Sequence, residues 1–467
     1  MYNERGGFFM ELRKRERILN APLYGVIWSI SFPLILNNLI QTLYNLADGV
    51  WLGQLGKIEF SATAFVWPII FLFVSFGFGI SVAGVSLLSR LIGGKKYKEA
   101  SDYSNHLFIT AGLIALIFSV LGYLFTPHMV AGMGAVEKLY ACSVIYLRIT
   151  FLGYPAVIFF FVFQSMMNAQ GDTKSTTVVS GFCMIVNAVL DPFFIFDTIP
   201  WIGLKGLHLG IQGAAYATIL TQYIMMILGY AVIHFRSKAF NFYFYRFKLQ
   251  WNKIKKILRI GFPAAIGQSG SALGFLIMNI FITAYGTDVL AAYSMVNRIT
   301  GLLSQPSMGF GGALTGIAGQ NIGADQMQRA KEAFRKTVTL SLIFSVTGAV
   351  LMYLFRFSVL SFFLKDAGGP VLKEAVTYMI YSIPIIPLMG VFNALIGVFN
   401  GSGNTKYSMH MTLGRLWVMR IPMIFIFSKL TSLGSEGIWL SMLLSNLLTV
   451  LYGYVLYFFG SWEKKNL

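Results

Sequence analysis

Acidic residues inside apolar stretches are the groups best placed to do chemistry in this sequence. Asp48 and Asp191 each lie within such a stretch, where a charged carboxylate costs at least ~2.5 kcal/mol at the bilayer centre. Asn187 and Asp191 are four residues apart and share one helix face, and Pro192 removes the backbone donor beside them. Carboxylate, amide and carbonyl oxygens suit a small cation such as Na⁺, or a proton shared between two carboxylates. The alternative is that these groups only join packed helices.

A polar stripe leads to Asp48 along one helix face. Its members, Asn37, Gln41, Tyr44 and Asp48, recur at steps of three or four residues, so this face is expected to point away from lipid. Pro33 precedes the stripe and interrupts the helical hydrogen-bond ladder, which predicts a hinge. Proline is also tolerated in membrane helices that do not move.

The elements that position these residues are apolar helices. The chain is 56% hydrophobic and 12% charged, whereas a soluble domain has about 25% charged residues. Apolar runs such as 107–125, 144–163 and 337–355 are long enough to cross a hydrocarbon core of roughly 30 Å. We predict an all-α integral membrane protein with twelve transmembrane helices.

The net charge of +18 favours a membrane surface over nucleic acid as the partner. Most of the 36 Lys and Arg residues fall at the N-terminus and in alternate loops, the distribution by which basic loops stay inside and meet anionic lipids. Both termini are therefore expected in the cytoplasm, with the protein in the cytoplasmic membrane.

An internal repeat divides the chain into two copies at an offset of about 230 residues. Ser31-Phe32-Pro33 matches Gly261-Phe262-Pro263, and Gly171-Asp-Thr-Lys174 matches Gly403-Asn-Thr-Lys406. Repeats of this kind place a substrate cavity between lobes that alternate in access, although a duplicated scaffold without transport is an alternative. The predicted segments are a cytoplasmic N-terminus (1–23), an N-lobe of six helices (24–234), a cytoplasmic linker (235–256), a C-lobe of six helices (257–459) and a cytoplasmic tail (460–467).

Other features of the spans favour structural roles. Arg148, Arg298, Arg415 and Arg420 lie in or near spans, where each needs a partner or a wet cavity. For Arg420, two residues before Pro422, snorkelling or helix-end capping is expected, with contact to substrate as the alternative. The repeated Gly-Phe-Gly motifs ending at Gly79 and Gly311 are typical of close helix packing. Phosphate-loop, nucleophile-elbow and zinc-protease motifs do not occur in the sequence. We therefore predict a protein that is not an enzyme and has no cofactor besides a coupling ion.

The segments Pro33 to Gly56, Asn187 to Pro192 and Arg415 to Pro422 resemble those of multidrug and toxic compound extrusion (MATE) transporters. This resemblance implies two six-helix lobes around a central cavity and export of small organic molecules driven by H⁺ or Na⁺ re-entry. In archaeal and DinF-type members the ion site lies in the N-lobe. By matching context, its residues here are Asp48, Asn187, Asp191 and Thr218, with Pro33 as the hinge.

The resemblance also concerns the C-lobe, where a second subgroup of the family has its ion site. NorM-type members carry acids on the seventh and tenth helices, where this chain offers Gln268 and Asn279, and Tyr378 and Asn393. Two other functions stay open: a lipid-linked saccharide flippase of the same superfamily, which a cavity-facing Arg298 would favour, and a polytopic membrane protein without transport. A monomer is expected. The candidates for contact with substrate are Asn37, Gln41, Tyr44, Gln268, Asn279 and Asn393.

Overall fold

The fold is helical throughout the residues that the computed structural model describes, which are 13–200, 203–236, 248–363 and 369–463. Within these ranges the only bridge between extended residues joins Thr198 and Lys205. The helices are α1 (Leu23–Leu55), α2 (Lys57–Gly93), α3 (Tyr97–Gly132), α4 (Glu137–Ala169), α5 (Thr173–Ile195), α6 (Gly210–Arg236), α7 (Trp251–Thr283), α8 (Thr287–Gly323), α9 (Met327–Leu354), α10 (Arg356–Phe363), α11 (Pro370–Ser382), α12 (Ile385–Gly401), α13 (Thr405–Leu413), a π-helical segment (Gly414–Arg420), α14 (Ile421–Leu430) and α15 (Glu436–Phe459).

Most of these helices can cross a membrane. Ten described spans are long and apolar enough, and α11 with α12 forms an eleventh that is bent by 44°. Helix α8 is 37 residues long but less apolar. The predicted all-α membrane fold of about twelve spans is confirmed. The span formed by α11 and α12 is not one straight helix, because Pro384 cannot donate a ladder hydrogen bond at the break.

The backbone repeats the pattern of the sequence. Helices α1 and α7 each have 33 residues, and α2 and α8 each have 37. Lys95 and Asp325, just after α2 and α8, both have positive φ, at 58° and 63°. Gly171 and Gly403 have φ of 77° and 79° before α5 and α13, a conformation that glycine adopts without steric cost. The two copies therefore share helix lengths and turn conformations.

The described chain divides into two compact units. The N-unit consists of the segment ending at Glu16 and Leu36–Ala265, and the C-unit consists of Arg17–Ile35 and Ile266–Leu467. Helix α1 is thus divided just after Pro33, and α7 just after Pro263. The predicted N-terminal, linker and tail segments fall partly at 1–12, 237–247 and 464–467, outside the described residues.

Glycine allows close helix approach in both units. A Cβ atom at Gly79 would overlap the backbone of Gly261 in the N-unit, and one at Gly311 would overlap the backbone of Asn393 in the C-unit. Such approach lets backbones pack where a side chain would hold helices apart. The predicted packing role of the two Gly-Phe-Gly motifs is confirmed.

Asp172 fixes the start of α5, the helix that carries Asn187 and Asp191. Its carboxylate accepts a hydrogen bond of 3.2 Å from the backbone N–H of Ser175 and lies 2.7 Å from Nζ of Lys14. Burial raises the pKa of Asp172, but Lys14 and the Ser175 N–H outweigh it, so the pKa lies below its usual value of 3.8. The charged carboxylate is therefore the form that stabilises this helix start.

We expect Asp172→Ala to lower the free energy of unfolding by about 1–2 kcal/mol, because it removes a helix cap and an ion pair. Asp172→Asn keeps a cap acceptor, so it should cost only about 0.2–1 kcal/mol. Since the folded-state pKa is depressed, the charge stabilises the fold above pH 3.8 and the effect is lost as pH falls through the lower folded value. Thermal unfolding of the purified variants from neutral to acid pH measures this. Equal losses for Ala and Asn at neutral pH would contradict the assigned ion pair.

Candidate functional site

Four helices of the N-unit bring polar side chains together. Helix α1 carries Tyr44 and Asp48 about one turn apart, and α5 carries Asn187 and Asp191 about one turn apart. Helix α6 adds Thr218. Together with Tyr146 of α4, described below, these residues form what we call the N-unit polar cluster.

On α5, the predicted pair is in direct contact. Nδ2 of Asn187 donates to Oδ1 of Asp191 at 3.2 Å, and both side chains are buried. The second carboxylate oxygen, Oδ2 of Asp191, is also buried but has no hydrogen-bond partner among the described residues. Asn187 therefore orients Asp191 and leaves one oxygen available for a cation or a proton.

On α1, Asp48 faces the same region. Oδ1 of Asp48 is buried without a hydrogen-bond partner in the described part of the chain, and the Asp48 charge acts on Asp191. The Tyr44 side chain lies near Thr218 and within electrostatic reach of Asp48 and Asp191. A protein interior strengthens the interaction between charges. Two ionised carboxylates at this site therefore repel each other unless a cation or a proton lies between them.

The loop before α6 explains how Thr218 reaches the cluster. Backbone N–H groups of Leu207 and Leu209 donate to the carbonyls of Phe193 and Phe194 at 2.8 and 3.0 Å. A Cβ atom at Gly213 would overlap the backbone of Phe194, so α6 approaches the end of α5 closely. These contacts hold the first part of α6 beside α5 despite the long connection.

Tyr146 belongs to the cluster, and the sequence analysis missed it. Its side chain is buried, and its hydroxyl lies within electrostatic reach of Asp48, Tyr44 and Asp191. Its polar neighbours at helical spacing, Ser143 and Thr150, carry only hydroxyls, and that of Thr150 bonds to the backbone of its own helix. Periodicity within one helix therefore gave no signal for it.

We expect Tyr146→Phe to fold normally but to need more coupling ion for half-maximal export. Removing one hydroxyl that faces the carboxylates should cost about 1 kcal/mol of ion binding, roughly a fivefold change in the half-saturating concentration. Export rate measured against ion concentration checks this. Tyr140→Phe, on the same helix and outside the cluster, is the control; equal ion dependence in native protein and Tyr146→Phe would remove Tyr146 from the site.

The other predicted contact residues lie elsewhere. Asn37 is half-buried on α1, with a buried Oδ1 that has no described partner, and Gln41 is exposed. Gln268 and Asn393 are half-buried and Asn279 is exposed, all three in the C-unit. Their role in binding substrate stays a prediction.

Comparisons with known proteins agree with this architecture. The sequence profile of the MatE family matches residues 33–193 and 263–426. The probable multidrug resistance protein YoeA of Bacillus subtilis is 25% identical, covering 93% of each chain. The FAD transporter of Shewanella oneidensis is 26% identical, covering 94% of this chain and 95% of its own. A crystal structure of MATE in the bent conformation has the same fold, with a TM-score of 0.87, 22% identity and coverage of 94% and 96%.

The repeated helices and the family match define a multi-pass membrane transporter rather than an enzyme. The chain belongs to the MatE family, whose profile covers both copies of the repeat. The predicted family resemblance is confirmed. The relatives do not favour the alternative of a lipid-linked saccharide flippase.

Proposed function

We propose that this transporter is a secondary antiporter that exports small organic molecules, drugs and toxic compounds among them, in exchange for H⁺ or Na⁺. The observation that carries the proposal is the pair of carboxylates in the N-unit polar cluster, each with one buried oxygen that has no hydrogen-bond partner among the described residues and can accept a cation or proton. Relatives named for multidrug resistance support the substrate class. Under this proposal Asp48, Asn187, Asp191 and Thr218 hold the ion.

The membrane setting follows from charge. Basic residues concentrated in alternate loops orient both termini toward the cytoplasm of the cytoplasmic membrane, and their charges meet anionic lipid headgroups. Ions then enter the cell down their gradient while substrate leaves. The transporter works as a monomer, because one chain supplies both repeats and the whole ion site.

Energetics allow this exchange. One charge moving through a potential of 100 mV supplies about 2.3 kcal/mol, enough for somewhat less than a hundredfold substrate gradient when coupling is tight. Coupling requires that ion and substrate compete for the same groups or for the same conformation. The cluster supplies the groups by which ion binding favours one of the conformations.

Dye efflux from proteoliposomes tests the proposal. Vesicles loaded with ethidium receive an inward H⁺ gradient, an inward Na⁺ gradient, or neither. Efflux that accelerates under only one gradient identifies the coupling ion, and protein-free vesicles give the background rate. Efflux that is independent of both gradients would overturn the proposed antiport.

A further inference from the structure

Two arginines in the C-unit are buried without a counter-ion. Arg415 is the second residue and Arg420 the last residue of the π-helical segment, and their side chains are only 7% and 2% exposed. Neither forms an ion pair with a carboxylate of the described residues. The expectation that Arg420 snorkels or caps a helix end is wrong, because its side chain is buried and donates to side chains of neighbouring helices.

The groups around Arg415 only partly satisfy it. Nη1 donates to Sδ of Met389 at 2.9 Å and to Oδ1 of Asn446 at 3.4 Å, and the guanidinium lies 4.7 Å from the ring centre of Phe392. Nε is buried without a partner among the described residues. A thioether is a weak acceptor, and an aromatic face recovers only about 0.5–2 kcal/mol of the charge's lost hydration.

Arg420 is in a similar position. Its Nε donates to Oγ of Ser445 at 2.9 Å, and Nη1 lies 3.5 Å from Sδ of Met278. The nearby phenols of Tyr293 and Tyr378 interact with its charge, and Tyr378 itself donates to Oδ1 of Asn297. These partners are neutral, so the positive charge of Arg420 is not balanced by them.

The charge of Arg420 acts unfavourably on Arg415, so the two cations repel each other. Arginine stays protonated in proteins, and an unpaired buried ion costs several kcal/mol. We therefore expect the two protonated guanidinium groups to have a further partner that is negatively charged.

The π-helical segment explains why the two side chains converge. In a regular α-helix, two residues five positions apart are separated by about 140° around the axis, so their side chains point in different directions. Here the N–H of Ile421 donates to the carbonyl of Leu416, five residues earlier, and this wider turn reduces the angle. Single π-turns are frequent at functional sites.

We propose that Arg415 and Arg420 bind an anionic group, a carboxylate or phosphate, of the transported organic molecule. A planar guanidinium matches such groups with paired hydrogen bonds. Phe392 lies against the guanidinium of Arg415, and the phenol of Tyr378 interacts with the charge of Arg420, so neutral rings border both arginines. The inference rests on the proposed transport function and adds organic molecules with an anionic group to the substrates of that transport.

Binding of two flavins isolates the anionic group. Riboflavin is neutral, whereas FMN has the same ring system and a phosphate. Fluorescence titration of the full chain in phosphatidylcholine nanodiscs should give a Kd for FMN about tenfold or more below that for riboflavin, as expected for charge-assisted hydrogen bonds. Arg415→Gln and Arg420→Gln should each abolish this preference with little effect on riboflavin. Arg420→Lys should keep part of it.

Arg356→Gln is the matched control, since Arg356 is a half-buried arginine of the same unit that lies at the start of α10, outside the π-helical segment. Equal Kd values for the two flavins, or a preference that survives both Gln variants, would overturn the proposal. Repeating the titration with phosphatidylglycerol in the nanodiscs shows whether the site binds the phosphate of a substrate or that of a lipid headgroup. Loss of the FMN preference only there would mean that lipid headgroups occupy the site, against a substrate role.

Thermal unfolding supplies a readout that does not depend on flavin binding. Inorganic phosphate, compared with chloride at equal ionic strength, should raise the unfolding temperature of native protein by about 2–4 °C and not that of the Gln variants. Without phosphate, Arg415→Gln should be at least as stable as native protein, because it removes an unpaired buried charge; a purely structural arginine would give a loss. A missing phosphate effect would overturn the site, as equal flavin Kd values would. Normal ethidium efflux alongside that result would leave the proposed antiport intact.

Discussion

Replacing Asp48 with Asn should abolish ion-driven export while leaving a folded protein in the membrane. The variant keeps the size and polarity of the side chain but removes the charge that faces Asp191. Without that charge the cluster loses a cation ligand or a proton acceptor, and the driving force of about 2.3 kcal/mol per charge at 100 mV is no longer linked to substrate. Efflux under the coupling-ion gradient should fall to the rate seen without a gradient.

A double variant makes this test sharper. If Asp48 and Asp191 serve one site, Asp48→Asn combined with Asp191→Asn should be no worse than either change alone, because groups acting as a unit are not additive. Asp197→Asn, an exposed acid just after α5, is the control and should export normally. Gradient-driven efflux by well-folded Asp48→Asn protein would show that the coupling ion binds elsewhere.

The contrast between α5 and α4 shows which parts of this site could be predicted. Asn187 and Asp191 lie on one helix four residues apart, so helical geometry alone places them side by side, and their hydrogen bond confirms it. Tyr146 reaches the same carboxylates from a different helix. Its position depends on how α4 packs in the N-unit, which no spacing within α4 encodes.

The same distinction holds for the fold. Apolar runs and the repeat predict the helices and their two copies because burial in lipid requires about 20 apolar residues per span. They do not predict the break between α11 and α12, or the π-helical segment that brings Arg415 and Arg420 together. Both features arise where the backbone departs from the regular i to i−4 hydrogen bonds of an α-helix. A prediction from the period of 3.6 residues assumes that these bonds are all present.

The hinge predicted at Pro33 is the second change with a large expected effect. Helix α1 runs continuously through Pro33, and the N-unit begins at Leu36, three residues later. Its counterpart Pro263 lies at the corresponding place in α7, just before the C-unit resumes at Ile266. The chain passes from one unit to the other at three places, and the two inside α1 and α7 lie just after these prolines. A missing ladder hydrogen bond makes bending least costly there.

Pro33→Ala should slow export about three- to tenfold without loss of protein. Alanine restores an N–H that can donate to the carbonyl of Ser29, which stabilises the straight helix by about 0.5–1.5 kcal/mol. The population of the bent helix then falls about three- to tenfold. Ethidium efflux and substrate affinity should be measured together, since a hinge changes the rate and the competition between ion and substrate. Pro155→Ala is the control, because that proline lies inside α4 of the N-unit, away from both divided helices. A Pro33→Ala protein with native efflux and unchanged competition would exclude bending at Pro33 from the transport cycle.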